Sequence, residues 1–195
     1  RGSLPATGRN RASEVVAHQQ FGDLHAVGRR ALTNVIGHDP HIDTARMRNI
    51  LAHPADPWGC GNYRIIKPFQ ALRDAALVDG MLSDGLLHVV DLQRYDPDVI
   101  VLQRQIGDER LDAMRRIKQF SRAFKVYELD DYLPNLPIKS FHKMPKDIIK
   151  SMRRGLSYVD RFVVSTAPLA DALSGFHPDI RVIENRLPVV LTTGV

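Results

Sequence analysis

The sequence predicts an α/β domain built on a doubly wound, mostly parallel sheet. Three observations carry that expectation. Short apolar runs rich in Val, Ile and Leu recur between residues 48 and 185. Segments with apolar residues at helical spacing separate them. Gly, Pro, Asp and Asn gather at the junctions. Strands buried on both faces read as continuous apolar runs, and a strand–helix–strand rhythm implies parallel pairing through crossovers. About six strands are expected from the pattern, in a Rossmann-like sandwich.

Composition sets the outer limits. A chain of 195 residues suits one domain with an appendage. Its 44% hydrophobic and 25% charged residues can build a core. No run of about 18 apolar residues is present, as a membrane span would need. The polar N-terminus lacks the apolar stretch of a signal peptide. The single Cys60 excludes an internal disulfide framework and fits a reducing, cytoplasmic location. The net charge of +5 and pI of 9.6 suit a polyanion, a membrane surface or phosphate-bearing small molecules.

The elements follow in order. Residues 1–46 read as a partly helical N-terminal extension. Within it, Leu24, Val27, Ala31 and Val35 form one helical stripe. Residues 47–188 form the domain proper. "RNILAHPA" (48–55) reads as a strand, "DPWGCGN" (56–62) as a loop, and "YRIIKPFQALRDAAL" (63–77) as a helix. Strands are expected at 86–92 and 98–105, then an amphipathic helix at 108–124 and a strand at 125–129. A helix over 145–159 carries Pro145 in its first turn. A strand at 161–165 leads to a helix at 167–175, capped by Ser165 or Thr166 and ended by Gly175. The last strand is 180–185. Residues 189–195 begin a linker or tail.

Ligands of such sheets bind outside the carboxyl ends of the strands. That directs attention to "WGCGN", "QRQIGDE", "LDDYLPN", "STAP" and "ENRLP". Gly59 and Gly61 let backbone N–H groups approach an anion at the following helix, with Arg64 adding charge. The same residues also suit a plain tight turn, and the pattern is not a dinucleotide fingerprint. Arg104 suits a bidentate contact to phosphate or carboxylate, or an ion pair with Glu128 or Asp130 on the neighbouring strand. Glu128 and Asp130 point to one side of an extended chain, with Asp131 opposite. These acids fit sugar-hydroxyl acceptors, a turn cap or a metal site. The basic stretch 139–155 interleaves Ile148, Ile149 and Met152. It fits either an anionic membrane surface or a helix with a solvated basic face.

Other chemistries lack a signature. The eight histidines show no H-x-x-x-H pair on a credible helix. No G-x-S-x-G elbow or Walker A loop is present, and no nucleic-acid module is recognisable.

The order of these motifs resembles the N-terminal, acceptor-side domain of a bacterial GT-B glycosyltransferase. The similar group is the retaining, glycogen-synthase-like and mannosyltransferase-like superfamily. In "SYVDRFVVSTAPLADAL", Asp160, Ser165 and Leu173 match that group's pattern, and Asn185 in "IRVIENRLP" matches the Asn of its next strand. "ELDD" and "QRQ" are similar to variants in surface-polysaccharide and glycan-assembly enzymes. Two departures stand out: Asp130 replaces a common His, and Arg186 follows Asn185 in place of Gly.

The resemblance implies one half of a GT-B fold, covering residues 48–188. It implies transfer from a nucleotide-sugar donor to a carbohydrate, lipid-linked or protein acceptor, without a metal ion or other cofactor. Gly59, Gly61 and Asn62 would lie beside the diphosphate, with Arg64 and Arg104 supplying charge. Asp130, with Glu128, would hold sugar hydroxyls, and Asn185 would line the same cleft. No catalytic residue is implied. The donor-binding domain is expected beyond residue 195, so this half alone should not turn over. A non-catalytic module that binds a glycan or partner protein is the alternative.

Overall fold

The computed structural model describes residues 48–133 and 147–185. They form a six-stranded sheet, parallel throughout, flanked by helices. The strands are β1 (Arg48–His53), β2 (Val78–Leu82), β3 (Val99–Gln103), β4 (Phe124–Leu129), β5 (Arg161–Val164) and β6 (Ile180–Val182). Their order in the sheet is β2-β1-β3-β4-β5-β6. A π-helical turn (Asn62–Ile66) runs into α1 (Lys67–Asp74). Then come α2 (Val89–Tyr95), α3 (Asp108–Phe120), α4 (Ile148–Leu156) and α5 (Ala167–Ala172).

Two layers cover the sheet. On one face, Leu51, Ile100, Leu102, Tyr127, Leu129, Phe162 and Val164 pack under Leu92 of α2, Leu111 and Met114 of α3, Met152 and Leu156 of α4, and Leu169 of α5. On the other, Ile50, Ala52, Val99, Val126 and Val163 meet Ile65 of the π turn and Phe69 of α1. The alternation along each strand therefore sends Glu128 and Gln103 to the α1 face. The chain leaves β1 toward β2 on one side and reaches β3 on the other. The switch point lies between β1 and β3, where doubly wound sheets bind ligands.

One expected element differs. Residues 86–92 do not form a strand. His88 caps α2, its side chain accepting from the Val90 N–H at 3.4 Å. Leu92 alone of that run is fully buried, as one turn of a surface helix requires, while Val90 is exposed. The strand is instead "VDGML" (78–82), on the sheet edge. Gly80, at φ +136°, lies against β1 so closely that a Cβ would sit 1.9 Å from the Ile50 carbonyl oxygen.

The basic segment is described from residue 147 onward. Met152 and Leu156 of α4 are buried in the core, and Ile148 packs against it. Arg154 reaches Asp112 and Asp108 of α3 at 3.2 and 3.8 Å. The Arg153 guanidinium stacks over Phe176 at 4.4 Å. The apolar stripe of this helix faces the protein, leaving Ile149 exposed. Residues 139–146, 189–195 and the stripe at 24–35 lie outside the described residues. No described helix is long and apolar enough to cross a membrane.

Candidate functional site

The loop after β1 is organised by Asp56. Its carboxylate accepts from the Trp58 N–H at 3.2 Å, from the Gly59 N–H, and from the Cys60 thiol at 3.3 Å. Burial pushes this carboxyl up, but the donors of Cys60, Gly59, Gly61 and Trp58 outweigh it and hold it below the usual range. Gly61 has a packing reason: a Cβ there would lie 1.9 Å from the Asp56 carbonyl oxygen. The Asn62 N–H turns back to the Gly59 carbonyl at 3.1 Å. The loop donors expected to face an anion thus point inward to Asp56. Cys60 is held as a thiol, its pKa pushed up to about 12 by burial and by the charge of Asp130.

Arg64 is internal. Its Nε donates to Glu128, and its Nη1 donates to the Ile183 carbonyl at 2.9 Å and to Asn185 Oδ1 at 2.6 Å. The π turn aims this side chain across β4 toward the segment after β6. Burial pushes the Glu128 carboxyl up, opposed by the Arg64 charge. Gln103 lies directly opposite Glu128 in register, and its Oε1 accepts from the Ala55 N–H at 2.9 Å. Arg64, an expected ligand contact, is therefore the shared partner of two others, Glu128 and Asn185.

Arg104 stands just past β3 in the left-handed region, at φ +44°. Its N–H extends the sheet to the Glu128 carbonyl at 3.0 Å. Its guanidinium meets Asp56 Oδ2 at 3.4 Å, not Glu128 or Asp130 as a cross-strand ion pair would place it. The turn beneath is fixed from inside. Gln105 is buried, donates to the Gln103 carbonyl at 2.8 Å and accepts from Arg110. Tyr127 donates its hydroxyl to the Gln105 carbonyl at 3.1 Å.

The acids after β4 open onto a cleft of about 300 Å³, lined by Asp130, Asp131, Tyr132, Ser165, Thr166 and Leu169, among others. Ser165 donates to the Asp130 carbonyl at 2.8 Å, so β5 positions this corner of β4. Asp130 Oδ1 is buried without a partner. Burial and the charge of Asp130 push the Asp131 carboxyl up, against Arg104. Asp160 and Leu173 work below: Asp160 accepts from the Lys125 N–H at 2.7 Å, and Leu173 is fully buried. Among the described residues, no three His, Cys, Asp or Glu side chains converge as a cation site would need.

Three residues at this edge escaped the sequence reading. Asp56 organises the loop, and its position ahead of Gly59 is the signature of an Asx-type turn. His53 is wholly buried, with Nδ1–H donating to the Ser83 carbonyl at 2.9 Å and Nε2 without a partner. No sequence signal marks it. Trp58 is 78% exposed on the anchored loop. No family model matches the chain, and no curated protein or solved structure matches it.

Proposed function

We propose that this domain forms the acceptor-side wall of a glycosyltransferase cleft. A second domain would bring the nucleotide sugar to it. The observation that carries the reading is Asp130. It stands beyond the carboxyl end of β4, its Oδ1 is buried without a partner, and it lines a cleft with Thr166 and Asp131. A bare carboxylate oxygen costs desolvation energy unless a donor arrives. A sugar hydroxyl entering the cleft would supply that donor once the Asp130 side chain turns outward to meet it. The acids also disfavour phosphate in this cleft, so the donor diphosphate would lie nearer Arg104. The motif order through Asp160, Ser165 and Asn185 supports the same reading.

The alternative is a non-catalytic module that binds a glycan or partner protein. The closed Arg64–Glu128–Asn185 network favours it, because Arg64 is then not a free cation for a diphosphate. The sequence following Val195 separates the two. The enzyme reading expects a second βα domain within the next ~150 residues. In that longer protein, Asp130→Asn should abolish most sugar transfer without lowering the melting temperature. Absence of a second domain overturns the enzyme reading; full activity of Asp130→Asn overturns the role of Asp130.

A further inference from the structure

Trp58 is the sole tryptophan of the chain and its most exposed large hydrophobic among the described residues. An indole left in water forgoes a large burial energy. It is also not on a loose tip. Its own N–H is bonded to Asp56, and the loop beyond it folds so tightly that Gly61 admits no Cβ. Asp56 in turn is tied to Arg104 across the switch point. The fold therefore presents an exposed indole from an anchored backbone at the place where doubly wound sheets bind ligands.

We propose that Trp58 is a stacking platform for the apolar face of a sugar ring, and that the acceptor is an oligosaccharide of more than one unit. The proposal rests on the acceptor-wall reading and adds the ligand's length and course. An aromatic face takes the C–H surface of a pyranose, while carboxylates take its hydroxyls. Both groups stand on this edge. Trp58 follows β1 and Asp130 follows β4, with only β3 between those strands. The strands that carry them are two spacings apart, roughly 10 Å, more than a single pyranose ring spans. A chain of sugars lying across β3, one end in the Asp130 cleft and the other on Trp58, engages both.

Because Trp58 is the sole tryptophan, its emission reports this site alone. The test titrates the chain with trisaccharides of glucose, mannose, galactose and N-acetylglucosamine in α and β linkage, with the free monosaccharides and with uridine and guanosine diphosphates. Fluorescence and calorimetry are read in parallel. At least one trisaccharide should shift Trp58 emission to the blue and shield it from acrylamide, and its monosaccharide should not. Asp130→Asn, which keeps the reporter, should weaken that trisaccharide about tenfold or more, the worth of a hydrogen bond to a charged group. Trp58→Ala, an exposed substitution that leaves the core untouched, should weaken it in calorimetry. A trisaccharide that binds Trp58→Ala equally well and leaves the parent's emission unchanged overturns this inference but not the acceptor-wall reading. Equal response to the monosaccharide overturns the chain-length argument. A response to the nucleoside diphosphates alone assigns the platform to a base and overturns the proposal. Calorimetric silence toward every sugar overturns the acceptor-wall reading together with it.

Discussion

Arg64 in the π turn and Glu128 at the end of β4 are 64 positions apart in sequence and meet as an ion pair closed to water. Their side chains are only 7% and 5% exposed. The pair joins the α1 layer to the sheet, and Asn185 extends it to the segment after β6. A buried pair of this kind adds little over apolar packing, but losing one partner strands the other charge.

Arg64→Met should therefore destabilise the domain by about 3–5 kcal/mol. Urea unfolding checks this, with the midpoint falling and the slope unchanged. The double variant Arg64→Met, Glu128→Leu should recover most of the loss. A double variant as unstable as the single one would mean that the network is needed for more than charge balance.

His53 gives the fold a pH dependence. Burial pushes its imidazole below the ordinary value of 6.5. The unfolded chain then binds the proton more readily than the folded one. Its contribution is fully present above 6.5 and is lost as pH falls through the folded value. His53→Asn keeps a donor near the position of Nδ1 and removes the titration. The gap between the urea midpoints of parent and variant should be constant above pH 6.5 and shift against the parent as pH falls below 6.5 toward the folded value. Parallel curves would assign the acid sensitivity elsewhere.

The Asp56 turn governs the reactivity of the lone cysteine. With its pKa near 12, Cys60 has almost no thiolate at neutral pH and should alkylate slowly with iodoacetamide. Asp56→Ala removes the thiol's acceptor, a nearby negative charge and the anchor of the loop, so alkylation should quicken severalfold. Gly61→Ala acts on the same turn through sterics and should cost about 1–3 kcal/mol or more, since the contact is with backbone. An unchanged alkylation rate in Asp56→Ala would mean that the loop holds its shape without the carboxylate.

How far these features were legible depends on where their partners lie. β3 and β5 stand out because a strand buried on both faces is largely apolar, as "VIVLQ" and "RFVV" are. β2 does not, because an edge strand tolerates Asp79 and requires Gly80, and both residues argue against a strand. "LLHVVDL" misleads through its β-branched pair, whose helical state is decided by the His88 cap and the burial of Leu92. At the site, the strand-end rule points to the loops after β1, β3, β4 and β5. It could not say which charges pair. Arg64 finds Glu128 and Asn185 through the fold, and Arg104 finds Asp56 in place of the acids on its neighbouring strand. The backbone of Asp130 is fixed beyond β4 by Ser165, two elements later, which donates to its carbonyl.

Arg104 separates folding from function most sharply. A non-glycine residue in the left-handed region costs about 1–2 kcal/mol. Its ion pair with Asp56, at 3.4 Å and partly exposed, returns about 0–1 kcal/mol. Glycine relieves the backbone at a modest cost in chain entropy. Arg104→Gly should therefore lie within about 1 kcal/mol of the parent, while Arg104→Ala, which keeps the strain and loses the pair, should be the less stable of the two. That order reverses the usual ranking of Ala over Gly and can be read from thermal unfolding. If it holds, the arginine is not there for stability. Its place beside Asp56 and near Asp131, at the switch point, then points to a ligand as the reason for its charge. If Arg104→Gly instead proves no more stable than Arg104→Ala, the backbone there is unstrained and the position carries no such implication.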